Sequence, residues 1–294
     1  MIKAHRINEF VMLIVDQNVL DDIDRGFSVP AQPKLLLSLL KLMAEPNPDV
    51  NAIADCIGKD IAVSAAILKT VNSPLYGLSR TISDIKMSIN YIGIYGVVML
   101  VTGSLLQKSF DPKSCSINLE DFWQLTAKTA EVAISLGKKY KPNIATDKFF
   151  SLGLFHACGI PVMAMRYKNY QDVIDQIILT PEISLIDLEE KHYQANHATI
   201  GYFVASSWRL PKDVCQIILQ HHQRDYLDKL DASTEQDMFA VLKLAEHIIS
   251  LKYLDCSSPD WAYLEKAILE VLNISAESLP AIIADTTEVT TEKA

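Results

Sequence analysis

The run Asp60–Asn72, DIAVSAAILKTVN, decides how the rest of the chain is read. It opens on an aspartate, whose carboxylate can accept a hydrogen bond from a free N–H in the first turn of a helix. Its apolar residues then fall on almost every side of a helical wheel instead of along one stripe, so it is expected to be a helix buried on most faces. Just upstream, in DVNAIADCIG (Asp49–Gly58), Asp49 can cap a shorter helix and the glycine at 58 can end it. Downstream, NSPLYG (Asn72–Gly77) is a turn in which Pro74 blocks helical continuation and Asn72 and Ser73 are expected to bond backbone groups.

Working outward, apolar residues keep recurring at three- and four-residue spacings, while strand-like alternation is nearly absent. The chain therefore reads as all-α. A first helix is expected over residues 7–23, and SVPAQP separates it from KLLLSLLKLMA. Met87–Gln107 carries no charged residue and is nearly long enough to span a bilayer, but Ser88 and Asn90 lie within it and its apolar positions split around GIYG. Two short buried helices, and no membrane insertion, are expected there. DPKSCSIN (Asp111–Asn118) is read as a domain boundary, giving a helical extension over 1–29, a bundle over 30–112 and a second helical domain over 113–294.

In that second domain a helix is expected from Leu119 to Lys139, then one from Asp147 that contains His156 and breaks at Gly159. Others are expected over Tyr170–Leu179, after Ser184, His197 and Pro211, after the capping box STEQ (Ser233–Gln236), and from near Pro259. The polar ending ADTTEVTTEKA is expected to be a frayed tail.

With 294 residues, 49% of them hydrophobic, the chain can bury a large core. Its net charge of −9 disfavours nucleic acid and anionic membrane surfaces, and KKYK (Lys138–Lys141) is the only dense basic run. Cysteines at 56, 115, 158, 215 and 256 form no C-x-x-C pair, which suits a reducing compartment, and MIKAHRINEF lacks a secretory apolar stretch. A cytoplasmic protein is expected. No G-x-S-x-G elbow and no phosphate-cradling glycine motif is present. Asp49–Asn72 has the length of a helix-turn-helix, but the would-be recognition helix offers chiefly Lys69 to reach a base edge.

Of seven histidines, His156, His197, His221, His222 and His247 lie in the second half. Imidazole is a common metal ligand, yet H-E-x-x-H and H-x-H are absent. His221 and His222, about 100° apart on a helix, would rarely serve one ion, and they are expected near a helix end where a histidine meets the last carbonyls.

Taken in order, VPAQPKLLLSLLKLM, IADCIGKDIAVSAAILKTVNSPLYG, TISDIKMSINYIGIYGVVML, FWQLTAKTAEVAISLG, FFSLGLFHACGI, HATIGYFVASSWRLP and QIILQHH resemble the HD-related output domain (HDOD) family of bacterial signalling, with Asp60, Asn72 and Ser73 as landmarks. The resemblance covers roughly Pro30 to Leu254. It implies an N-terminal helical bundle packed on a degenerate HD-like bundle. In the related HD phosphohydrolases, an adjacent histidine and aspartate would fall on His156 and Ala157, an earlier histidine near Leu125, and a late aspartate on Glu246. His197 and His221 or His222 resemble extra ligands of two-metal members. The resemblance thus implies a vestigial site with no cofactor and no catalysis. A residual set of His156, His197 and one of the paired histidines is the remaining place for zinc or nickel. Partners would be signalling proteins, with a small-molecule ligand possible in the cleft between the halves. His156 is expected to bond a neighbour such as Glu246, so that replacing it costs stability rather than catalysis.

Overall fold

The computed structural model describes residue 27 and residues 29–289, apart from positions 74, 75, 77, 79, 180–182, 230 and 231. The helix expected over 7–23 lies outside the described residues, as do positions 74, 75 and 77 of the NSPLYG turn. Among the described residues the regular structure is entirely helical.

The first half contains α1 (Lys34–Met43), α2 (Val50–Gly58), α3 (Ile61–Val71) and α4 (Ile85–Lys108). Asp49 accepts from the Asn51 N–H and Asp60 from the Val63 N–H at 2.9 Å, so both aspartates cap as their positions require. The expectation that α3 is buried on most faces is corrected: Val63, Ile67 and Val71 bury one face against α4, while Ile61, Ala62, Ala65 and Lys69 are exposed. Asn72 fastens the exit of α3: its amide donates to the Leu68 and Ile82 carbonyls, both at 2.8 Å, and accepts the Ile82 N–H at 2.7 Å. The Ser73 hydroxyl, expected to bond backbone, is buried with no hydrogen-bond partner among the described residues.

Helix α4 is broken at Gly93, whose φ of 81° and ψ of 163° lie where only glycine is comfortable. The break falls at the first residue of GIYG, while Gly96 is helical and buried. By length and composition α4 and the run Thr146–Arg166 are each apolar enough to cross a membrane, but 61% and 78% of their most apolar windows are already buried inside the protein.

The second half contains α5 (Leu119–Tyr140), α6 (Thr146–Phe155), α7 (Gly159–Arg166), α8 (Tyr170–Leu179), α9 (Leu185–Tyr193), α10 (His197–Ser207), α11 (Lys212–Gln220), α12 (Thr234–Tyr253), α13 (Trp261–Leu272) and α14 (Leu279–Val289). Helix α5 packs on α6 and α12, and α10 on α7 and α11, while α4 reaches across to α6 so that one apolar core runs through both halves. Two expectations need correction. The chain turns at His156–Cys158, and Gly159 begins α7 instead of breaking a helix. The ending is helical to Val289, because Ile282 and Thr286, four residues apart, give it a buried stripe.

Gly159 is the point of closest approach between α7 and α10. A Cβ there would lie 2.0 Å from the His197 carbonyl oxygen and 2.6 Å from the Gly201 nitrogen, both backbone atoms that cannot rotate away. Gly159→Ala is therefore expected to destabilise the chain by about 3 kcal/mol, the upper part of the usual overpacking range. Denaturant unfolding of the variant checks this, and an unchanged midpoint would refute the close approach.

Candidate functional site

The turn after α6, the start of α10 and the end of α11 bring His156, His197, His221 and His222 together. His156 caps the C-terminus of α6, with Nδ1 2.8 Å from the Gly153 carbonyl oxygen. His221 does the same for α11, with Nδ1 2.7 Å from the Ile218 carbonyl oxygen. His197 opens α10 with Nδ1 2.8 Å from Glu189 Oε2, and His222 places Nδ1 2.8 Å from Asp260 Oδ2. In each ring an acceptor takes the Nδ1 proton, so the neutral tautomer leaves Nε2 as a lone pair. Metal-binding histidines are oriented by this same outer contact.

One atom from each of His197, His221 and His222 falls in a group whose members all lie within 4.8 Å of one another. The Nε2 atoms of His197 and His222 are 3.1 Å apart. Two lone pairs at that separation repel unless a proton or a cation lies between them. The expectation that His221 and His222 diverge is thus corrected, because α11 ends at Gln220 and the pair follows the helix terminus instead of its wheel. Their ring centroids are 4.1 Å apart. His156 is not in this trio. It packs edge-on to His221 at 5.7 Å and sets Nε2 3.4 Å from Glu246 Oε1, while its hydrogen bond goes to Gly153.

The charges beneath the rings come largely from residues that sequence reasoning missed. Glu189 is fully buried and accepts from the Tyr170 hydroxyl and from the His197 N–H at 2.9 Å, besides the His197 ring. Lys243, buried on α12 one turn before Glu246, sits 2.5 Å from Glu246 Oε2 and 3.4 Å from Asp260 Oδ2. Asp260 precedes α13 yet makes no cap bond; its carboxylate turns to His222, Lys243 and Arg224.

Burial alone would lower the Lys243 pKa, but the two carboxylates outweigh it and the net shift is upward. Burial alone would raise Glu246 and Asp260; Lys243 and the neighbouring histidines outweigh it and both end lowered. His221 is driven well down, first by burial and then by the charges of His222 and His197. Burial also lowers His156, against the pull of Glu246, and lowers His222, against its bond to Asp260. His247 stands apart: it stacks on Trp261 at 3.9 Å and burial lowers it to about 4.

A pocket of about 590 Å³ opens onto His156, and Ala157 and Leu125 form part of its wall. Asp60, Asn72 and Ser73 lie elsewhere, at the two ends of α3. The signals for the missed residues were present: a lone lysine at 243 in the apolar run FAVLKLAEHI, and an aspartate at 260 beside a helix start.

A model of the HDOD domain matches residues 29–224. A Treponema pallidum (strain Nichols) protein named only as uncharacterized is 24% identical over 86% of this chain, which spans about half of that protein's length, 48%. Among solved structures, a Geobacter sulfurreducens HDOD domain protein of unknown function aligns with TM-score 0.64 at 20% identity, over 93% of this chain and 97% of its own. A Shewanella amazonensis SB2B protein named as a candidate phosphohydrolase aligns with TM-score 0.66 at 17% identity, over 92% and 93%. At these identities the structural likeness is one of fold.

Proposed function

This chain belongs to the HDOD domain family, and we propose that within it the protein is a non-catalytic output or scaffold module of signal transduction, acting by contact with other signalling proteins in the cytoplasm. The observation that carries this reading is the ammonium of Lys243. It neutralises Glu246 and Asp260, the carboxylates beside His156 and His222, and so does from within the chain what a divalent cation would do there. Ala157 and Leu125, where the related hydrolases would carry metal ligands, present only hydrocarbon to the pocket at His156. Phosphoester hydrolysis on this fold draws both its activated water and its charge neutralisation from metal ions held by such ligands.

The purified chain is expected to turn over neither phosphodiesters nor nucleotides with magnesium, manganese, zinc or nickel added, while crosslinking in the native cell captures signalling proteins. Stoichiometric metal together with turnover that disappears in His156→Ala would overturn the reading.

One observation favours a second reading, a single-ion site. The 3.1 Å between His197 and His222 Nε2 is close to the ~3.3 Å edge of a tetrahedron with metal–nitrogen bonds of about 2.0 Å. His197, His221 and His222 would hold zinc or nickel, with Glu189 and Asp260 fixing two of the rings. Zinc titration with a chromogenic competitor is then expected to show one site that is lost in His197→Ala and kept in His156→Ala. Equal loss in both variants would exclude this trio as the ligand set.

A further inference from the structure

Away from the histidines, α3 of the first half and α5 and α6 of the second, with α4 between them, enclose a pocket of about 390 Å³. Phe150 contributes to an apolar wall, and Lys69, Ser73, Ser104, Gln107 and Glu131 line the rest. The polar groups are unused. The Ser73 hydroxyl is buried with no hydrogen-bond partner, and no side-chain hydrogen bond or ion pair joins Lys69, Ser104, Gln107 or Glu131 to another described residue. Of these groups the Ser73 hydroxyl is the one shut off from solvent, and an unmade bond to such a desolvated atom costs about 1–3 kcal/mol.

The two charges differ in setting. Lys69 is exposed at the rim, whereas Glu131 is half-buried. Desolvation pushes the Glu131 carboxyl up, only partly offset by Lys128 one turn earlier. A carboxylate in that condition gains most from a cation delivered directly to it, and an exposed lysine suits an anionic group at the opening.

We propose that this pocket binds a small zwitterion of the amino-acid class, its ammonium on Glu131, its carboxylate toward Lys69, and its remaining polar atoms on Ser73, Ser104 and Gln107. A nucleotide fits less well, since its phosphates would bring more negative charge near Glu131. The walls belong to both halves of the chain, so an occupant ties α3 to α5 and α6. That gives a scaffold an input it could read as a stiffened junction. The site shares no residue with the histidine cluster, and its failure would leave the scaffold reading standing.

The test is thermal shift and titration calorimetry of the full chain against each of the twenty L-amino acids, with AMP and GMP in parallel. At least one amino acid is expected to raise the wild-type melting temperature and to bind with affinity reduced about tenfold or more in Glu131→Gln, the scale of one lost charged hydrogen bond. Lys69→Met is expected to weaken binding less. Unliganded Glu131→Gln should melt no lower than wild type, because it removes a desolvated charge that has no ion-pair partner; this separates lost binding from lost folding. The proposal is overturned if no amino acid binds, if binding is indifferent to both substitutions, or if only the nucleotides bind.

Discussion

Lys243→Met is expected to lower the stability of the folded chain by about 3–5 kcal/mol at neutral pH, the range for removing one partner of a buried ion pair. Methionine refills most of the volume, so the loss comes from charge. Glu246 and Asp260 would be left facing each other's neighbourhood with only His156, His222 and Arg224 to compensate. Of these, the two histidines are held below their ordinary pKa by burial and by Lys243 itself. Removing the ammonium should therefore let His156 and His222 protonate more readily, and the imidazole resonances in an NMR titration should move to higher pH. A second substitution, Glu246→Gln, is expected to restore roughly half of the lost stability by taking away one of the stranded charges. Urea unfolding of the two variants decides the matter. If Lys243→Met costs less than about 1 kcal/mol, the size of a surface pair, the ammonium is not holding the site together.

Most of the helical framework was legible because caps and apolar spacing are local properties. Asp49, Asp60, Ser184 and Ser233 all accept the first-turn N–H bonds that their positions suggest. The ending was misjudged for the converse reason: ADTTEVTT is polar by composition, and its burial depends on which two side chains happen to face α12. The turn at His156–Cys158 was placed at Gly159 because a glycine signals a break, whereas here it permits α7 to touch the α10 backbone. That is a tertiary demand invisible in a window of ten residues.

The candidate site was legible in its histidines and illegible in its counter-charges. His156 and Glu246 were paired in advance, and the structure sets them 3.4 Å apart. Glu189, Lys243 and Asp260 come from three separate segments, and nothing in their spacing reports that they converge. Charge balance in a buried site is a property of the assembled fold, so the lysine that pairs with both carboxylates was the hardest to see.

Acid is expected to unfold the chain well above the pH at which its carboxylates titrate. His221 and His247 are buried and stay neutral in the fold, His221 driven well down and His247 lowered to about 4, whereas the same rings in the unfolded chain take up a proton near pH 6.5. Below that pH the unfolded state binds more protons than the folded one. Stability is therefore complete above about pH 6.5 and falls on acidification, by up to about 1.4 kcal/mol per pH unit for each ring. By pH 5 His247 alone should have removed about 2 kcal/mol, and His221, His156 and His222, all lowered in the fold, act in the same direction. Glu246 and Asp260, whose folded values are lowered, act in the same direction further down: their stabilisation is present above about pH 4 and is lost as pH falls through the folded values. Lys243, raised in the fold, withdraws its contribution only above about pH 10.5. Cys115, Cys158 and Cys215, whose thiols burial pushes up, withdraw theirs from about pH 9, so a plateau between roughly pH 6.5 and 9 follows. Guanidinium unfolding from pH 7.5 to 5 measures the slope directly. His247→Phe keeps an aromatic ring against Trp261 and removes one titrating group, so its slope should be shallower by about 1.4 kcal/mol per pH unit. A wild-type profile that is flat over this range would mean that His221 and His247 take up protons in the fold as they do in the unfolded chain, so that burial does not keep them neutral.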